Sequence, residues 1–128
     1  MEIRIRLTQY DYDEKKTTVL ADGKGFLLND TLTYQELNNP SVRHEIAFEK
    51  DQIILERHAD IKSKTILPLD GRGKSRIISP YGIMELETEI EEYYQNDEVW
   101  MVQYSIFEDG REVTHQRLVW QLKGVKDE

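Results

Sequence analysis

Residues 72–92 read RGKSRIISPYGIMELETEIEE, and their alternation decides the fold. Glu85, Glu87, Glu89 and Glu91 interleave with Met84, Leu86, Thr88 and Ile90, a period of two that belongs to a strand and not to a helix. Upstream, Arg72, Lys74 and Arg76 keep the same period, and Ser79-Pro80-Tyr81-Gly82 between the two runs is a turn signal. A four-residue loop over 79–82 sets Ile78 opposite Ile83 and aligns Arg76 with Glu85, Lys74 with Glu87 and Arg72 with Glu89. Opposite charges across an antiparallel pair contribute about 0.2–1 kcal/mol each, and a one-residue slip would mismatch them all. The stretch is therefore predicted to be a hairpin with its charges toward solvent and Ile77 and Met84 turned inward. That pairing accounts for the glutamate stripe without a bound cation.

The same grammar runs outward in both directions. Asp-Gly steps at 22–23, 70–71 and 109–110 and Asn-Asn-Pro at 38–40 cut the chain into strand-length pieces. The segments are 2–9, 17–29, 31–36, 42–48, 52–58, 61–69, 73–78, 83–92, 98–108 and 112–123, with 10–16 as a polar loop. Asp22-Gly23 and Gly25 predict a bend or bulge in the second. So many short strands exceed what one open sheet comfortably holds, so closure is expected. The fold class is all-β: a single closed, mostly antiparallel barrel of about 8–10 strands spanning 1–128, with 1–2 and 124–128 frayed. In the last hairpin a two-residue Asp109-Gly110 turn would put Trp100, Val102 and Tyr104 on the face opposite Leu118, Trp120 and Leu122. A three-residue loop, 108–110, unites them and buries more apolar surface, so that loop is predicted, with His115 and Arg117 outside.

Composition narrows the function classes. The 128 residues include no cysteine, which excludes a disulfide framework, a cysteine zinc site and a thiol nucleophile. A net charge of −8 argues against nucleic acid and anionic lipid as partners. No apolar run approaches the ~20 residues that span a membrane, and the alternating start offers no signal-peptide core; the expected setting is cytoplasmic. No nucleophile elbow, phosphate loop or cofactor motif is present, so no cofactor and no catalytic residue is expected. The three histidines are far apart, and His58-x-Asp60 is the only short ligand-like spacing, so no metal site is expected either.

One constellation stands out. If residues 49–52 form a loop, Phe48 faces Ile53, Ile46 faces Leu55 and His44 faces Arg57. If 37–41 closes the preceding hairpin, Tyr34 faces His44 and Glu36 faces Val42. Tyr34, Glu36, His44 and Arg57 then share the inner face of three adjacent strands, with Arg57 expected to be largely buried. A buried guanidinium must be paired, solvated or matched by an anion. Glu36 could neutralise it within a closed network, or Arg57 could anchor a ligand, with Trp100 and Tyr104 adding aromatic surface. The functional reading is non-catalytic binding of a small hydrophobic or anionic amphipathic ligand inside the barrel. The alternative is a protein-interaction or assembly module with a packed barrel, and an enzyme stands behind both. A polar pocket of about 300 Å3 or more around Arg57 separates the first from the second.

Several pieces in order, Leu32-Thr33-Tyr34-Gln35-Glu36, Ile53-Ile54-Leu55-Glu56-Arg57, Ser79-Pro80-Tyr81-Gly82, Tyr104 and the Asp109-Gly110 hairpin, carry a family likeness over residues 20–122. Together they resemble the YwiB-like family of small lipocalin-like (calycin) barrel proteins from low-GC Gram-positive bacteria. The resemblance implies a lipocalin-like barrel and assigns no activity.

Overall fold

Alternation at period two leaves each segment with one apolar edge row to bury, and ten such segments bury theirs by closing on one another. The computed structural model describes residues 1–124. Its strands are β1 (Glu2–Asp11), β2 (Lys16–Leu28), β3 (Thr31–Gln35), β4 (Arg43–Phe48), β5 (Gln52–His58), β6 (Lys62–Pro68), β7 (Arg72–Ser79), β8 (Gly82–Gln95), β9 (Val99–Glu108) and β10 (Arg111–Gly124). Each pairs antiparallel with the next, and β1 closes on β10 to complete a barrel. Closure removes the exposed edges that would template aggregation. No helix among the described residues is long and apolar enough to cross a membrane. Ile3, Ile5 and Leu7 of β1 meet Leu32, Ile46, Ile53, Val102 and Trp120 in the core.

The β7–β8 hairpin has the predicted register, with Arg76 opposite Glu85, Lys74 opposite Glu87 and Ile78 opposite Ile83. Arg72 holds its directly opposite partner Glu89 (3.1 Å) and also, diagonally, Glu87 (2.8 Å), while Lys74 reaches diagonally to Glu85 (3.7 Å). Met84 is a correction. It is 50% exposed, because β9 pairs with β8 only from Glu87 onward, so the hairpin end projects beyond the wall. Ile78, Tyr81 and Ile83 share that exposure. The glutamate stripe also ends earlier than its period suggests, since Glu91 is the extra residue of a bulge between Ile90 and Glu92.

The last hairpin corrects a second expectation. Its turn has two residues, with Glu108 opposite Arg111 and positive φ at Asp109 (51°) and Gly110 (78°), the geometry that Asp-Gly favours. The two apolar faces are still united, with Trp100 opposite Trp120 and Arg117 opposite Gln103 on the outer face. A bulge between Glu112 and Thr114, not a longer loop, changes the parity. In β2 the bulge falls at Leu20, between the pairs Leu7–Ala21 and Thr8–Val19, rather than at the glycines. Gly25 serves instead as a close approach: a Cβ there would meet Ile5 Cδ1 at 2.5 Å and the Thr33 carbonyl at 2.6 Å.

The polar loop expected at 10–16 shrinks to a turn, because Tyr10, Asp11 and Lys16 lie in strands. Residues 1–2, expected to fray, are paired. The Met1 ammonium donates to the Leu27 carbonyl at 3.0 Å, and Glu2 pairs with Phe26. Gly124 pairs with Ile3; of the expected frayed tail, residues 125–128 lie outside the described residues.

Candidate functional site

Turn length and parity assemble the site. Across β3, β4 and β5, Tyr34 lies opposite His44 and His44 opposite Arg57, while the Glu36 amide donates to the Val42 carbonyl at 3.1 Å just beyond β3. Glu36 Oε1 then accepts from Arg57 Nε and from His44 Nε2, both at 2.9 Å. The Tyr34 and His44 rings stack at 5.2 Å, nearly parallel. Arg57 is the correction here: 38% of its side chain is exposed, so it sits at the mouth and not in the core. Its Nη1 lies 3.5 Å from the Ile61 carbonyl, too long for a strong bond.

Behind this row opens a cavity of about 190 Å3. Its walls are apolar at Leu7, Leu20, Ile46, Leu55 and Leu118 and polar at Gln9, Ser63 and Gln116. Tyr34, His44, Arg57 and Tyr104 all line it. Trp100 does not. It packs on Phe48 at 4.7 Å and lines a separate surface depression with Met1 and Leu27, because it sits four residues before Tyr104 along β9. Gln9 and Gln116 are lining residues that sequence reasoning does not single out. The signal was there: Gln9 continues the inner row Ile3, Ile5, Leu7, and Gln116 precedes Leu118 on the same face.

Electrostatics define the protonation states. Burial pushes the Glu36 carboxyl up, but hydrogen bonds from His44 and Arg57 outweigh it and hold the group below its ordinary 4.5. At His44 burial wins over the pull of Glu36 and holds the imidazole below its ordinary 6.5. The 2.9 Å contact is therefore a hydrogen bond from a neutral imidazole to a charged carboxylate. Both groups bind fewer protons in the folded than in the unfolded state, so their contribution is complete above the unfolded values and falls on acidification. Stability is expected to decline first below 6.5 through His44, then below 4.5 through Glu36. His44→Gln should flatten the upper part only; urea unfolding at steps across that range checks it, and stability that rises on acidification refutes it.

The ion pair itself is modest. With Arg57 and Glu36 side chains 38% and 27% exposed, solvent softens both charges, and Arg57→Leu is expected to cost about 1 kcal/mol. Adding Glu36→Gln should recover part of that loss, because it removes the stranded carboxylate. Chemical denaturation of the four proteins of this cycle decides it, and no recovery in the double variant counts against the pairing.

The His58-x-Asp60 spacing is not what the structure brings together. His58 instead lies 3.1 Å from Glu56 and 3.9 Å from Glu45 on the outer wall. Lys64 already contacts Glu56 at 3.6 Å.

Comparisons with known proteins agree with the architecture. The crystal structure of the ywiB protein from Bacillus subtilis superposes with a TM-score of 0.66 at 10% identity, over 98% of this chain and 92% of that one, a likeness of fold. No curated protein sequence matches. A family model described as a domain of unknown function, DUF1934, matches residues 3–119. These findings bear out the resemblance read from the ordered motifs. A closed ten-strand barrel and a match over nearly the whole described chain lead to one identification: the chain belongs to the DUF1934 family.

Proposed function

We propose that the protein holds a small acidic ligand at the Arg57 end of its barrel and performs no chemistry on it. The observation that carries this reading is the position of Arg57. It lines both the inner cavity and an outer depression of about 370 Å3 formed with Asn39, Ser41, Val42, Ala59, Asp60 and Ile61. It is the doorway between them. Glu36 engages Nε, which leaves the terminal amino groups of a planar fork to meet a carboxylate. The inner cavity is smaller than the ~300–1,000 Å3 of drug-sized sites, so the ligand is compact or extends outward past Arg57. Glu36 is committed to both His44 and Arg57, and His44 to Glu36, which argues against a free general base. The inner cavity alone falls short of the roughly 300 Å3 that separates this reading from the alternative, an interaction module with a packed barrel; the outer depression of about 370 Å3 beside Arg57 is what reaches it. The cytoplasmic setting expected from the sequence is part of this proposal.

Octanoate titrated against the tryptophan fluorescence of the protein tests the reading, beside native mass spectrometry of freshly purified material. Arg57→Leu is expected to weaken octanoate by about tenfold or more, since a charge-assisted bond contributes about 1.5–3 kcal/mol. No octanoate binding by the wild type, together with only the bare protein mass, refutes the proposal.

A further inference from the structure

Two hydroxyls inside the cavity have half of their hydrogen-bonding capacity spent. Tyr34 Oη accepts the indole N–H of Trp120 at 2.8 Å, and Tyr104 Oη accepts the side-chain amide of Gln116 at 2.5 Å. The first direction is set by chemistry and the second by the orientation of two side-chain amides. An indole nitrogen can only donate, so Tyr34 has no choice but to accept from it. Gln9 donates its amide to Gln116 Oε1, which turns the Gln116 amino group toward Tyr104. Both chains of donors therefore run inward and end on a phenol whose own proton is donated to no protein group among the described residues.

The two phenols are each 4% exposed and line one cavity. Burial raises Tyr34 well above its ordinary value and pushes Tyr104 up to about 12, so both keep their protons at neutral pH and act as donors, not as phenolates. Buried polar hydrogens as a rule find acceptors. The acceptor these two suit is a neutral oxygen, because a buried phenol pair adds no formal charge to balance an anion. The charge sits elsewhere: Tyr34, His44 and Arg57 form one cross-strand row, which spaces Tyr34 from Arg57 by two strand separations, about 10 Å between backbones.

We propose that the cavity selects compact acids that carry a second, uncharged oxygen acceptor, with the carboxylate at Arg57 and the acceptor on the hydroxyls of Tyr34 and Tyr104. Short oxo-acids are the simplest members of that class. This inference rests on the binding reading above and adds the part of the ligand that enters first. Leu7, Leu55 and Leu118 then cover the carbon chain between the two ends.

A matched pair of probes tests it: 4-oxopentanoate, and 4-methylpent-4-enoate, in which a methylene replaces the ketone oxygen. A site built to donate hydrogen bonds rejects the analogue that lacks the acceptor. The wild type is expected to bind the oxo-acid about tenfold more tightly than the alkene acid, a difference of about 1.4 kcal/mol. Tyr34→Phe should bring that ratio close to one, and Tyr104→Phe should lower it. The ratio is the readout because it is insensitive to any loss of folded protein that follows when Trp120 loses its partner. Arg57→Leu should weaken both acids equally and leave the ratio intact. Equal affinities for the two acids, both dependent on Arg57, would overturn the phenol inference and leave the binding reading standing. Binding of neither acid, or binding of both that ignores Arg57, would overturn the two together.

Discussion

Trp120→Ala is expected to destabilise the barrel by about 3–5 kcal/mol, the range for truncating a fully buried aromatic. Trp120 is 0% exposed and stands at the crossing of distant elements. It lies opposite Trp100 on β9 and Leu7 on β1, meets Phe48 edge-on at 6.2 Å, and bonds Tyr34 through its indole nitrogen. Alanine would leave a void among rings that cannot collapse into it and would remove the donor from Tyr34. The β1–β10 seam that closes the barrel passes through this residue, so the loss falls on closure itself. Guanidinium unfolding with an unchanged slope is the measurement. A loss under about 1 kcal/mol would mean that the seam does not depend on this side chain.

The second large effect is expected at Gly73. β6 and β7 pair only from Lys62–Ile78 to Thr65–Ser75, and beyond that point β8 reaches across β7. Thr88 Oγ1 donates to the Ile66 carbonyl at 2.7 Å, and it can do so because Gly73 has no side chain. A Cβ at Gly73 would sit 2.2 Å from the Ile66 carbonyl oxygen, 2.5 Å from Pro68 Cδ and 2.9 Å from Thr88 Oγ1. The nearest of these is backbone and cannot swing away. Gly73→Ala is therefore expected to cost about 3 kcal/mol, the upper end of overpacking penalties, and to break the Thr88 bond as the strands separate. Gly23→Ala is the control, since a Cβ there meets nothing within 4 Å; its effect should stay within about 0.5 kcal/mol. Thermal or chemical unfolding of the two variants side by side decides the matter, and equal effects would show that the pinch at β6–β8 does not constrain the barrel.

How much of this was legible beforehand follows from the range over which each feature is specified. Side-chain parity and loop length are local, so the row Tyr34, His44, Arg57 and the facing pairs Ile46–Leu55 and Arg76–Glu85 could be counted off the chain. The Glu36–Arg57 bond followed from the same counting, because only one inner-face acid was placed to neutralise that arginine. The exposure of Arg57 and Met84 did not follow, since alternation tells which side a residue faces and not whether a neighbouring strand extends far enough to cover it. The turn at Asp109-Gly110 was misread for a related reason: the need to unite two apolar faces was visible, but a bulge at residue 113 meets it as well as a longer loop does.

Read alone, the sequence determined an all-β chain of ten antiparallel segments, the registers of β3–β4, β4–β5 and β7–β8, and the residues that converge on Arg57. All of these depend on period two and on short connections. Only the tertiary structure decided the β1–β10 closure, the bulges at Leu20, Glu91 and Val113, the close approaches at Gly25 and Gly73, and the placement of Trp100 outside the cavity that Tyr104 lines. It alone brought Trp120 to Tyr34 and Gln116 to Tyr104, two tyrosines that line one cavity. The reason is physical. Those contacts join residues far apart in the chain or on strands whose tilt is set by closing the whole barrel, and no local pattern carries the curvature that closure imposes.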